Sequence, residues 1–247
     1  MNTPVHKKAP IASSRLKPVT QDTLANRGMT SEQFYQKILH AILEHRLAPG
    51  TQLVEERLVV LSGLSRTKIR PVLARLAHER LVELIPNRGA FIARPSVEEA
   101  REVFFTRNLI EPAIIRLLCD DAGGRDIRAL KRHITKERKA RRDGDRLAII
   151  RLSGEFHVLL AELAGNAILV RMMRELTAQT CLVITLYDAA NTPSCPDHHH
   201  ADIIEAIEAR DVKLATQRLT AHLRAVENTL RLEVDEEAAV DLTAIFA

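Results

Sequence analysis

Residues 61 to 92 read LSGLSRTKIRPVLARLAHERLVELIPNRGAFI, and this stretch decides the N-terminal fold. Ile69, Val72, Leu73 and Leu76 recur at i, i+3, i+4 and i+7, the apolar face of an amphipathic helix. Ser65 stands just before that face as an N-cap, its hydroxyl placed to accept from the free amides of the first turn. Burying the apolar face leaves Arg66, Thr67, Lys68 and Arg70 outward, with Arg66 and Arg70 one turn apart. A helix start carrying two guanidiniums suits the major groove of DNA, where arginine pairs bidentately with guanine or grips phosphate.

Working outward, Val54 to Leu61 reads as a short helix, and Gly63 supplies the permissive backbone for a sharp turn into the Ser65 helix. Downstream, Val82 to Ile85 and Ala90 to Ala93 are β-prone runs joined by Pro86, Asn87, Arg88 and Gly89, a wing with Arg88 at its tip. An earlier helix runs from Ser31 to Leu47 and stops at Pro49-Gly50. Exposed arginines are usually just solvated and such a turn is usually just a turn; helix, turn, helix and basic hairpin in succession are more specific. The expectation is a winged helix-turn-helix domain over residues 30–94, with three helices and a two-stranded wing, that binds double-stranded DNA. Pro71 lies inside the recognition helix, deletes the amide bond to the Thr67 carbonyl and costs about 3 kcal/mol if uncompensated. It is expected to re-aim the reading arginines.

The 247 residues are 46% apolar and 28% charged, a globular composition. No apolar run approaches the roughly 20 residues that span a bilayer, so no membrane association and a cytoplasmic location are expected. Cys119, Cys181 and Cys195 are odd in number and scattered, which suggests neither a disulfide framework nor a thiolate zinc site. Residues 1–95 carry 15 Lys and Arg against 7 Asp and Glu, whereas residues 96–247 carry 21 against 25. The basic half seeks phosphate; the acidic half is better suited to sensing something small. Residues 1–29 read as a disordered basic arm, either an aid to phosphate attraction or a solvated tail, and residues 233–247 as a C-terminal tail.

Arg94-Pro95-Ser96 marks a boundary, and Ser96 with Glu99 makes a capping box. Six helical segments follow over residues 97–232, at about 97–119, 125–141, 145–164, 167–190, 198–209 and 212–232, with no strand signal. The fold class is therefore mainly α: the winged domain, then an all-α bundle of about six helices. The Arg- and Lys-rich run from Arg125 to Arg151 reads as a solvated helix face.

Three histidines lie in apolar stripes. His157 precedes Leu160, Ala161 and Ala164, His200 precedes Ile203, Ile204 and Ile207, and His222 shares a face with Leu219, Val226 and Leu230. A single inward histidine is usually a hydrogen-bonded core residue. Three on three helices of one bundle can instead converge on a divalent metal, since neutral imidazole is the commonest transition-metal ligand.

The winged half resembles GntR-type bacterial repressors, whose usual run is close to L-G-V-S-R-T-P-V-R-E-A-L, where this chain has SGLSRTKIRPVL. The resemblance implies that Ser65, Arg66, Thr67, Arg70, Asn87, Arg88 and Gly89 contact operator DNA. Lys68 replaces the family's proline and adds a charge to the same surface. The second half resembles the FCD ligand-sensing domain of the FadR subgroup through RNLIE at 107–111, FHVLLAELAGN at 156–166, HADIIEAIEARD at 200–211 and ATQRLTAHL at 215–223. In metal-binding members an aspartate one turn before the first histidine joins three histidines around the cation. Carried over, the ligands are His157, His200 and His222 for Zn²⁺, Ni²⁺ or Mn²⁺, and the aspartate's place is taken by Ser153, a poor substitute for carboxylate. The resemblance further implies an organic-acid effector, with Arg107 as the residue that meets its carboxylate and Ser153 lining the pocket. Arg107 and Glu111 as a purely structural i, i+4 pair is the competing reading.

The leading expectation is a homodimeric, sequence-specific transcriptional regulator, a repressor, whose operator affinity is set by a small carboxylate-bearing metabolite. The alternatives are a metal-dependent hydrolase fused to a DNA-binding domain and a DNA binder with no effector. The chain has no nucleophile elbow and no phosphate-cradling glycine loop, so no enzyme is expected.

Overall fold

The computed structural model describes residues 29–121, 123–188 and 198–232. The basic arm up to residue 28, Cys195 with the break from Asn191 to Pro196, and the tail after 232 lie outside the described residues.

Thr30 opens helix α1 (Ser31–Leu43) with a full capping box: its hydroxyl accepts from the Gln33 amide at 3.1 Å, and the Gln33 side chain accepts from the Thr30 amide at 2.8 Å. The helix stops short of the expected Leu47. His45 turns left-handed at φ 54°, and the His45 and Arg46 amides close back onto the Ile42 and Ala41 carbonyls. Strand β1 (Gln52–Leu53) and helix α2 (Glu55–Ser62) follow, and α2 ends on Gly63 at φ 69°, as its permissive backbone requires. The buried Ser62 hydroxyl donates to the Leu58 carbonyl and accepts from the Leu64 amide, which stitches the turn.

Helix α3 (Arg66–His78) is continuous through Pro71. Ile69, Val72, Leu73 and Leu76 are buried on both sides of the proline and hold the helix against the core through it. Strands β2 (Val82–Ile85) and β3 (Gly89–Ile92) form the wing, paired Val82 with Ile92 and Ile85 with Gly89. The wing hairpin is two-stranded as expected, but the sheet is larger. β1 adds to β3 through Leu53 and Ala90, giving an antiparallel sheet in the order β1-β3-β2. Two residues are too few for an alternating pattern to announce a strand.

The second half is helical throughout the described residues: α4 (Val97–Asp121), α5 (Gly124–Arg142), α6 (Arg146–Leu163), α7 (Ala167–Tyr187), α8 (His199–Glu208) and α9 (Val212–Glu227). Ser96 and Glu99 make the expected reciprocal cap on α4. Ile114, Leu118, Leu130, Phe156, Leu160, Ile203, Ile207 and Leu219 form its main core. A second core joins the halves, because Ala178, Cys181 and Leu182 of α7 pack into the same cluster as Phe34, Ile38, Ile42 and Leu73 of the winged half. Polar ties reinforce the junction: Gln179 donates to the Glu79 carbonyl, Tyr187 to the Pro95 carbonyl, and Arg151 lies 3.4 Å from Glu44.

Candidate functional site

The start of α3 and the wing present one exposed surface. Ser65, Arg66, Thr67, Lys68 and Arg70 are all exposed, as are Asn87, Arg88 and Gly89. Two details differ from the sequence expectation. The Ser65 hydroxyl is not a helix cap; it lies 2.7 Å from the Thr67 hydroxyl. The two arginines are not free, since Arg66 pairs with Glu56 at 2.9 Å and Arg70 with Glu55 at 3.1 Å, both across to α2. Exposed pairs of this kind are worth about 0–1 kcal/mol, so DNA phosphate can displace them. At the wing, Pro86 presets one turn position, Asn87 turns left-handed at φ 61°, and Gln52 holds the tip by donating to the Arg88 carbonyl at 3.0 Å.

Deep in the helical half, the three histidines meet. His157, His200 and His222 are 3%, 1% and 2% exposed, and one ring nitrogen from each lies within 4.8 Å of the others. The His222 Nε2 sits 3.2 Å from the His157 Nε2 and 3.4 Å from the His200 Nε2. Behind them stand two carboxylates. Glu111 meets the His157 Nδ1 at 2.6 Å, and Glu137 meets the His200 Nδ1 at 3.0 Å.

The protonation states follow from this geometry. Burial opposes charge on Glu111, but Arg107 at 2.7 Å and His157 outweigh it and hold the carboxyl at about 2, below its usual 4.5. Burial likewise opposes charge on Glu137, and hydrogen bonds from His133 and His200 hold it at about 2. An ionised carboxylate only accepts, so the Nδ1 of His157 and of His200 donates outward and each Nε2 is turned toward the cluster. Burial pushes His157 down to about 4, with help from the Arg107 guanidinium and against the pull of Glu111; burial likewise holds His222 well below 6.5. Neutral imidazoles whose outer nitrogens are held by carboxylates are the donor set of a divalent transition metal. The residues fit such an ion.

Beside the cluster lies a cavity of about 70 Å³, lined by His157 and His222 at one part and by Arg107, Ser153, Thr177 and Thr180 nearby. About 10–15 Å³ suffices for one water, so the space admits more than that. Arg107 has the structural pair, and it also stands at the cavity. It pairs with Glu111, its Nη1 donates to Thr180 at 3.3 Å, and it lines the cavity with an Nη2 that is buried and has no hydrogen-bond partner among the described residues. The Thr177 hydroxyl on the same wall is likewise unpartnered. Gly154 sets the wall's closeness, since a Cβ there would stand 2.8 Å from the Thr177 methyl.

The sequence shows Glu111 only as a helix-pair partner and hides Glu137 and His133 in a run that reads as a solvated face. That face exists, with Arg128, Lys131, Arg132 and Lys136 exposed, but His133, Ile134 and Glu137 are buried behind it. The signal was available: Glu137 continues the apolar series Ile127, Leu130 and Ile134. His198 is exposed and His199 half-buried, edge-on to His222 at 5.7 Å.

A winged helix-turn-helix joined to a helical bundle with a polar-ended internal cavity is the architecture of a ligand-responsive DNA-binding regulator. The family models agree: residues 30–92 match the gntR family of bacterial regulatory proteins and residues 102–225 match the FCD domain. The chain belongs to the GntR family, in its FCD-domain branch. That is a family of transcriptional regulators, not enzymes, which sets aside the hydrolase alternative. The chain is 25% identical over 202 residues to the HTH-type transcriptional repressor RspR of Escherichia coli K12, covering 81% of this chain and 89% of the relative. It is 27% identical over 235 residues to the repressor NanR of Salmonella newport, covering 82% and 86%. In fold it is similar to E. coli McbR/YncC, with a TM-score of 0.71 at 20% identity over 78% of this chain and 93% of that one. A GntR regulator from Rhodococcus gives 0.70 at 22% identity over 80% and 95%. The GntR helix-turn-helix implies DNA as a partner and the FCD domain a small-molecule effector; among the described residues no helix is long and apolar enough to cross a membrane.

Proposed function

We propose that this protein is a cytoplasmic, homodimeric repressor. Its winged domain over residues 30–94 reads operator DNA, and its FCD domain over 97–232 binds an organic acid beside a divalent cation. The observation that carries the reading is the convergence of three Nε2 atoms beside a cavity whose wall holds a buried, unpartnered Arg107 nitrogen. A cation held by His157, His200 and His222 would supply positive charge for the acid's carboxylate. Arg107 offers a bidentate-capable fork to the same group, and Ser153 faces the space that the family's aspartate would occupy.

Ser65, Arg66, Thr67, Lys68, Arg70, Asn87, Arg88 and Gly89 are the DNA-contacting set, with Arg66 and Arg70 as base readers and Lys68 and Arg88 on phosphate. Dimerisation is supported by Phe105, Leu109 and Leu117 on α4, which are 66%, 61% and 42% exposed along one side of the helix. The test is a titration of operator fragments, selected from genomic DNA by the purified protein, with and without Zn²⁺ and a panel of small carboxylic acids. A shift in operator affinity that His157→Ala abolishes is expected. Equal affinity under every condition would overturn the sensing role and leave a DNA binder without an effector.

A further inference from the structure

The cavity does not belong to the helical half alone. Its lining includes Arg146, Ile150, Ser153 and His157, one from each successive turn of α6, so it follows that helix for about 16 Å. Along α7 the lining continues through Thr177, Cys181 and Ile184 to Asp188, the residue just past its end. The two helices run antiparallel through a tight link at Ala164 to Asn166, and Gly154 stands against Thr177. The His157 and Thr177 end is therefore opposite the Arg146 and Asp188 end. The middle is apolar, with Ile149, Ile150, Ile184 and Val226.

At the far end the wall is completed by His45, which comes from the winged half, two residues beyond α1. Its Nε2 is buried and has no hydrogen-bond partner among the described residues. The charges it feels are those of Arg146 and Asp188, which places it at the end remote from the histidine cluster; burial and Arg146 depress its basicity, so it is a neutral hydrogen-bonding group. Glu44 beside it reaches Arg151, so the end of α1 is held against α6 at two adjacent residues.

We propose that His45 is an effector-contacting residue, and that the effector is an elongated organic acid whose carboxylate lies at the Arg107 end and whose far end carries a second hydrogen-bonding group, a hydroxyl or a second carboxylate. The proposal rests on the cavity being the acid site. A hydroxyl or carboxylate at that end gives the buried imidazole nitrogen the partner it lacks, which a purely alkyl tail does not. One ligand then touches both halves of the chain at once, which gives it a differential interaction with any state in which α1 has moved.

The test is calorimetric binding, in Zn²⁺, of three series of four- to eight-carbon acids: unsubstituted monoacids, ω-hydroxy acids and α,ω-diacids. Wild type should bind at least one ω-substituted acid about tenfold more tightly than its unsubstituted counterpart. That ratio should fall to near one in His45→Ala and in His45→Gly, through loss of affinity for the ω-substituted acid. The glycine variant guards against misfolding, because glycine suits the left-handed position that His45 occupies. Hydrogen exchange around residues 41–47 should slow with the preferred acid and not with the monoacid. A preference that survives both substitutions, or wild-type indifference to the ω-group, would overturn the role of His45 while leaving the acid site standing. If no acid binds, or if binding is untouched by His157→Ala, the acid site itself fails and the role of His45 with it.

Discussion

The recognition surface and the histidine cluster are both made of charged and titratable side chains, and they are held in opposite ways. Arg66 and Arg70 are exposed, each loosely held by one acidic residue of α2. Arg107, Glu111, His157, His222, His200 and Glu137 form an unbroken buried chain, each a few ångströms from the next. Groups that must be surrendered to a partner are kept cheap to release, within about 1 kcal/mol. Groups that must shape a site are networked, so that removing one strands its neighbours.

The largest expected effect comes from breaking the buried chain. Glu111→Gln leaves Arg107 without its charge partner and should cost about 3–5 kcal/mol, read as a lower urea midpoint. A loss under about 1 kcal/mol would mean that the network is no more committed than the surface.

Acid should separate the two regions next. His157 has a folded value near 4 against 6.5, so the unfolded chain binds more protons between these limits and stability falls as pH drops from about 6.5 to 4. Glu111 and Glu137, lowered from 4.5 to about 2, contribute stability that is full above 4.5 and lost as pH falls towards 2. Thermal melts across this range should therefore decline in two overlapping stages, the second shallower in Glu111→Gln. A flat profile down to pH 4 would contradict the neutral, buried imidazole.

On the surface, Arg66→Ala and Arg70→Ala should each weaken operator binding by about 1–3 kcal/mol and relax sequence preference, with no change in the melt. Equal loss on all DNA would make them phosphate contacts instead. The smallest effect belongs to Glu55→Gln, which frees Arg70 and removes a like charge from the DNA face. Binding to any DNA should tighten by under about 1 kcal/mol, and weaker binding would show that Glu55 positions the arginine.

How much could be read from the chain follows the same division. Periodicity exposed every described helix, and the offsets after His157, His200 and His222 were enough to turn all three inward, because a helix's buried face is a local property. The pairing of Glu111 with His157 and of Glu137 with His200 spans 46 and 63 residues and depends on how helices cross, which no local pattern encodes. Glu137 was masked by its neighbours, as Lys136 and Arg138 flank it and give the segment a solvated look. β1 was too short to register. The ion pairs of Arg66 and Arg70 needed the α2 to α3 angle, and His45 looked like any residue of a helix end.

Cys181 lines the cavity and also belongs to the core that α7 shares with the winged half. One residue thus forms a party wall between the cavity and the interior that α7 shares with the winged half. Close-packed interiors transmit displacement rather than absorb it. If the proposed acid occupies the cavity, a guest slightly too wide would press through this wall on the interior of the winged half.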